Sequence, residues 1–182
     1  ALTGITTRMA DTAMSAGSIL QVVSNTKTDV TSRDATTFDD IAGTDQAGSG
    51  SVFCVKITPS STSNKILIYY TLNMGSAGTL AWIKLLRDST AIFIGDSATD
   101  KVQTSSAFFG STATGIGMYG MAPISGIHLD SSHNSTSELT YKFQWKVSHS
   151  GWATYLNRSH HDDTSTYNAR GASSITVMEV AV

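Results

Sequence analysis

Residues 138–149 read Glu-Leu-Thr-Tyr-Lys-Phe-Gln-Trp-Lys-Val-Ser-His, with apolar and polar side chains in alternation. Successive side chains of a β-strand point to opposite faces, so a period of two separates the two sets. One face carries Tyr141, Phe143, Trp145 and Val147, and the other carries Lys142, Gln144, Lys146 and Ser148. This run therefore predicts a strand with one face in a protein core and the other in solvent.

Similar runs recur along the chain and are separated by residues that favour turns. Their ranges are 18–24, 36–41, 51–58, 65–73, 80–87, 90–95, 105–109, 118–129, 154–158 and 173–181. Asp88 and Ser89 join two of these runs and indicate a tight hairpin. No stretch has the period of a helix of about ten residues or more. The runs 36–41, 105–109 and 118–129 have the weaker patterns, so we expect eight to ten strands. Without such a helix, they predict an all-β, antiparallel β-sandwich of the jelly-roll type.

The length, charge and cysteine content of the chain limit its organisation and argue against two classes of partner. A length of 182 residues fits one domain, which we divide into an N-terminal arm, residues 1–17, and a sandwich, residues 18–182. Charged residues make up 14% and the net charge is −2, so neither nucleic acid nor a membrane is an expected partner. Cys54 is the only cysteine, which excludes an intrachain disulfide, and its place in a predicted strand favours a buried thiol.

Two of the predicted strands are apolar on both faces. In the run 65–73 and in the run 80–87, both alternating sets of side chains include large hydrophobic residues. A two-layer sandwich leaves one face of each sheet in water, so the second apolar face needs a cover. We therefore expect an oligomer. The expected interface residues are Leu67, Tyr69, Trp82 and Leu85.

Three short patterns resemble chemical sites. His160, His161, Asp162 and Asp163 are weak candidates for metal ligands, because neighbouring residues of a strand point apart and only a loop would bring them together. Residues 115–120 match G-x-G-x-x-G, but no helix pattern follows that would hold a pyrophosphate. Asp96 and Ser97 lack the α/β context of a nucleophile. We expect no catalytic residue, no cofactor and no metal.

Several segments resemble a known module. Residues 17–24 read Gly-Ser-Ile-Leu-Gln-Val-Val-Ser, residues 86–92 read Leu-Arg-Asp-Ser-Thr-Ala-Ile, and residues 170–180 read Arg-Gly-Ala-Ser-Ser-Ile-Thr-Val-Met-Glu-Val. With residues 57–68, these segments resemble a module common in marine and environmental tailed bacteriophages, described as tail-fibre or virion structural proteins. The resemblance spans residues 17–182. It implies a homotrimeric jelly-roll knob, similar to tumour-necrosis-factor-like heads, without catalytic residues.

The resemblance implies a non-enzymatic protein on the capsid or tail surface of a virion, made in the host cytoplasm. The favoured role is capsid decoration, as a cement protein that binds the major capsid protein or other virion proteins. The expected anchoring residues of the arm are Leu2, Ile5, Met9 and Met14. The alternative is the head of a short tail fibre that binds a host surface glycan or other receptor. Its expected receptor-facing residues are Trp152, Asn157 and Tyr167.

Overall fold

The computed structural model describes residues 14–110 and 118–182, and within them it contains twelve β-strands and no α-helix. The strands are β1 (Ile19–Lys27), β2 (Thr31–Arg33), β3 (Asp39–Asp40), β4 (Cys54–Ile57), β5 (Lys65–Ser76), β6 (Leu80–Arg87), β7 (Thr90–Ile92), β8 (Ser106–Phe109), β9 (Ala122–Asp130), β10 (Leu139–Val147), β11 (Thr154–Leu156) and β12 (Ser173–Val180). In the part of the chain so described, no helix is long and apolar enough to cross a bilayer.

The strands form two antiparallel sheets. In sheet I the order is β1-β12-β5-β9, and β11 and β2 continue the sheet beside the end of β5. In sheet II, β10 lies between β6 and the short strands β3 and β4, and β7 and β8 both pair with the far side of β6. The chain thus crosses between the sheets in the order of a jelly roll. The prediction of an all-β antiparallel sandwich is confirmed.

The core lies between β5 of sheet I and β10 of sheet II. Phe143 packs edge-to-face on Tyr70, with ring centroids 4.9 Å apart, and stacks on Phe53 at 6.4 Å. Tyr70 lies opposite Gly126 of β9, where an added Cβ would come within 2.6 Å of the tyrosine ring. Glycine at this position therefore makes room for the largest buried side chain of β5. All four apolar residues expected on the inner face of β10 are buried.

The predicted strands match the observed ones closely except where the pattern is polar. β2 was not predicted, since Thr-Ser-Arg carries no apolar alternation; it forms because it pairs with β11. The predicted run 36–41 contains only the two-residue strand β3. The hairpin at Asp88 is confirmed: its φ is 53°, and its carboxylate accepts a hydrogen bond from Thr140 N at 2.9 Å. Cys54 is buried, and this burial raises the pKa of its thiol.

A buried carboxylate holds the loop between β4 and β5 against sheet I. Glu179 of β12 is fully buried; Oε1 accepts hydrogen bonds from Ser60 N, Ser60 Oγ and Asn64 Nδ2, each at 2.7 Å. Its Oε2 accepts one from Gln21 Nε2 at 2.6 Å. Burial acts to raise the pKa of Glu179, but the hydrogen bonds from Asn64, Ser60 and Gln21 outweigh it and hold the pKa below its usual value.

Replacement of Glu179 by glutamine should lower stability at neutral pH and flatten its acid dependence. Gln21 Nε2, which also donates to Thr58 O, would meet an amide donor instead of an oxygen. We expect a loss of about 1–3 kcal/mol in the free energy of unfolding at pH 7, measured by urea denaturation. Glu138→Gln, at an exposed position, is the matched control and should change the free energy by less than about 0.5 kcal/mol.

The sign of the pH effect follows from the lowered pKa. The stabilising contribution of Glu179 is present above the unfolded-state pKa, about 4.3, and is lost as the pH falls through the lower folded-state pKa. Between neutral pH and pH values below about 4, the wild-type protein should therefore lose more stability than Glu179→Gln. Equal losses in the two proteins would show that this carboxylate is not held as an anion by its donors.

Candidate interaction surfaces

The outer face of sheet I carries a continuous band of apolar side chains, which we call the apolar face. One cross-strand row consists of Val22, Met178, Leu67 and Leu129, and the next row consists of Ser24, Thr176, Tyr69 and Ile127. Ile127 is 61% exposed and Val22 is 56% exposed. Neither row contains a charged residue. The following row, Thr26, Ser174, Thr71 and Ser125, is polar and uncharged.

The four residues predicted to form one interface do not share a surface. Leu67 and Tyr69 lie on the apolar face, as their alternation with buried Ile66 and Ile68 requires. Trp82 lies on the outer face of sheet II. Leu85 is fully buried in the core, so its assignment to an interface is wrong. The physical reason is the strand period: residues 82 and 85 are separated by an odd number of positions and must point to opposite faces.

The outer face of sheet II carries lysines that lie on aromatic rings. Lys84 Nζ is 4.3 Å from the ring centroid of Phe38, and Lys146 Nζ is 5.0 Å from the ring centroids of both Phe38 and Trp82. We call these four residues the lysine–aromatic face. Beside them, Lys142 Nζ forms a salt bridge with Asp40 at 2.7 Å. This grouping was not predicted, because Phe38 reaches the two lysines from a separate loop.

The carboxylates of the cluster His160, His161, Asp162 and Asp163 bind residues of the protein rather than converge on a position for a metal ion. Asp162 forms salt bridges with Arg170 at 2.5 Å and with Arg158 at 2.6 Å. The hydrogen bond from Arg170, with the charge of Arg158, holds the pKa of Asp162 below its usual range. Asp163 accepts hydrogen bonds from Ser165 N and Asn168 Nδ2. Both carboxylates are therefore engaged within their own loop.

The two histidines of the cluster take part in aromatic contacts. The ring of His160 lies 5.7 Å from that of Tyr155, and the ring of His161 lies 4.9 Å from that of Tyr119. Burial, together with the charges of His161 and Arg158, lowers the pKa of His160. In residues 14–110 and 118–182, no three His, Cys, Asp or Glu side chains are placed to hold a metal ion.

Of the three predicted receptor-facing residues, two are exposed and one is buried. Tyr167 is 69% exposed, and Trp152 lines a cleft of about 250 Å³ with Gly78 and His149. Asn157 is fully buried, so its assignment to a receptor-facing surface is wrong.

Asn157 instead connects three segments of sheet I. Its Nδ2 donates hydrogen bonds to the carbonyl oxygens of Lys27 at 2.8 Å and Asp29 at 3.0 Å. Its Oδ1 accepts one from Ser173 Oγ at 2.6 Å. Its backbone φ of 67° lies in the left-handed region, which asparagine tolerates better than most residues do. The role of Asn157 is structural.

The remaining predicted residues divide between described and undescribed parts of the chain. Leu2, Ile5 and Met9 of the predicted arm, and residues 115–117 of the glycine pattern, lie outside the described residues. Met14 is half-buried, and Asp96 and Ser97 are exposed in the loop that follows β7.

Comparison with known proteins assigns no family to this chain. No family model matches the chain, and no curated protein matches it. Similar solved structures include a chain from the structure of infectious bursal disease virus Gx strain, with a TM-score of 0.41 and 13% sequence identity. That match covers 89% of this chain and 37% of the viral chain. The fold therefore rests on the strand order itself.

Alanine substitutions should show that Asn157 stabilises the fold and that the exposed Tyr167 does not. Asn157→Ala removes the hydrogen-bond partner of one buried carbonyl, one partly buried carbonyl and a buried hydroxyl, and it places alanine at a positive φ. We expect it to lower the free energy of unfolding by at least about 2 kcal/mol. Tyr167→Ala should change it by less than about 0.5 kcal/mol. Chemical denaturation measures both, and similar values would contradict this division of roles.

Proposed function

We propose that this chain is a non-enzymatic structural protein of a tailed-phage virion and assembles as a homotrimer through the apolar face. The observation that carries the proposal is the band of exposed and half-buried apolar side chains across four strands of sheet I. Large contiguous apolar patches are uncommon on monomeric proteins and mark interaction sites. The homotrimeric state is the one implied by the resemblance of residues 17–182 to phage virion modules.

The composition of the apolar face suits contact with another copy of the chain. Four strands spaced about 4.8 Å apart give the band a width of about 14 Å. A stable interface buries about 800 Å² on each partner, so this band would supply its apolar centre. The uncharged row of Thr26, Thr71, Ser125 and Ser174 borders the band and would supply part of a polar rim. In a cyclic trimer, this face meets a different surface of the next protomer.

Within this proposal we favour a decoration or cement role on the capsid. A trimer that contacts several capsid subunits binds only the assembled lattice, so its binding energy stabilises that lattice by mass action. The arm, residues 1–17, is proposed as the anchor. The second candidate is a receptor-binding head of a short tail fibre, and the exposed rings of Trp152 and Tyr167 favour it. Three copies would then raise a modest affinity for a glycan by avidity.

A charge on the apolar face should break the trimer without unfolding the protomer. Ile127 is largely exposed in the protomer, so Ile127→Glu should fold, but assembly would bury its carboxylate against apolar side chains. By size-exclusion chromatography with light scattering, the wild-type mass should be three times the 19.2 kDa of the chain. The variant should have the single-chain mass, and Trp152→Glu should remain trimeric. A monomeric wild-type protein, or a trimeric Ile127→Glu, would overturn the proposed interface.

The position in the virion can be tested by immunogold electron microscopy on purified particles. A cement protein should give gold over the whole head surface, whereas gold at the tail tip would support the receptor-binding alternative. Particles without gold would overturn the virion proposal.

Removal of residues 1–16 should leave a folded trimer that no longer binds heads, because it deletes the proposed anchor and keeps the sandwich. The measurement is occupancy of heads after addition of the truncated protein, with the intact chain as control. Full occupancy by the truncated protein would contradict the anchoring role of the arm.

A further inference from the structure

We propose that the lysine–aromatic face binds an acidic polypeptide segment through Lys84 and Lys146. This face lies on sheet II and is separate from the apolar face of sheet I, so the proposal goes beyond self-assembly. Three observations support the proposal: the charge balance of the chain, the placement of the two ammonium groups and the side chains that surround them.

The charge balance singles out these lysines. In the described part of the chain, seven Lys and Arg side chains form salt bridges with carboxylates. Those without such a carboxylate are Lys65, Lys84, Lys101 and Lys146. Two of these four lie on the ring of Phe38. A chain with only 14% charged residues thus gathers uncompensated positive charge at one point of sheet II.

The aromatic rings hold both ammonium groups in place. Lys84 and Lys146 share Phe38, and Lys146 also contacts Trp82. Cation–π contacts of this kind favour one arrangement of long side chains, so less side-chain entropy is lost when an anion binds. Alternate side chains of an extended segment lie about 7 Å apart on one face. Both ammonium groups lie within 5.0 Å of the ring centroid of Phe38, so two carboxylates of one short segment can reach both of them.

The surroundings favour a polypeptide over a sugar as the anionic partner. Sugar recognition uses open aromatic surfaces, but here lysine ammonium groups cover the rings of Phe38 and Trp82. Phe109 of β8 is also exposed. It pairs with Leu80, which lies two residues before Trp82 in β6, so Phe109 and Trp82 are on the same outer face of sheet II. An acidic segment with one apolar side chain would engage both features.

The test is a titration of the full chain with a fluorescent peptide of alternating aspartate and serine, followed by fluorescence anisotropy at low ionic strength. We expect binding that the double variant Lys84→Gln/Lys146→Gln weakens at least about tenfold, since it loses two charge-assisted contacts. The matched control is Lys65→Gln/Lys101→Gln, which removes the same charge elsewhere and should weaken binding less than about threefold. Lys84→Arg/Lys146→Arg should retain binding.

Three results would overturn the proposal: no binding by the wild-type protein, equal weakening in both double-glutamine variants, or equal binding of a peptide with asparagine in place of aspartate. Binding of a sulfated polysaccharide without binding of the acidic peptide would also overturn it, in favour of a glycan partner. Thermal unfolding of each variant checks that the sandwich is intact. The lysine substitutions leave Val22, Met178, Leu67, Leu129 and Ile127 of the apolar face unchanged, so this proposal and that of the trimer can fail separately.

Discussion

The edge-to-face contact between Phe143 and Tyr70 joins the two sheets at their centres. Phe143 lies on β10, which pairs with strands on both sides in sheet II, and Tyr70 lies on β5, which does the same in sheet I. Because these two rings lie in the core, the alternation of side chains along each strand determines which of the remaining side chains point inward and which point outward. The outer faces of the sandwich, and therefore its candidate interaction surfaces, depend on this contact.

The two outer faces differ in chemistry. That of sheet I has apolar and hydroxyl side chains in three successive rows and no charge in them. That of sheet II has Lys84 and Lys146 on Phe38 and Trp82. An apolar face is stabilised by contact with another apolar surface, whereas ammonium groups are stabilised by carboxylates. The two proposed contacts, one with another copy of the chain and one with an acidic segment, therefore use separate surfaces.

Two predicted site residues, Leu85 and Asn157, are buried rather than exposed. Asn157 follows β11 and is buried, and its side chain donates hydrogen bonds to the carbonyls of Lys27, at the end of β1, and Asp29, in the next loop. Asp162, one of the weak candidates for a metal ligand, forms salt bridges with Arg158 and Arg170 instead. In both cases the partner is a residue whose proximity the local pattern does not reveal.

By itself, the sequence determined the all-β class, the strands with apolar alternation and the side chains that share a face within each of them. Alternation such as that of residues 138–149 is a local property that pairs of strands do not change. The tertiary structure decided which strands are neighbours and which of their two faces is buried. It placed Leu85 in the core, brought Phe38 to two lysines from separate strands, and aligned Leu67 with Leu129. These contacts join residues far apart in the chain, and the order and register of the strands create them.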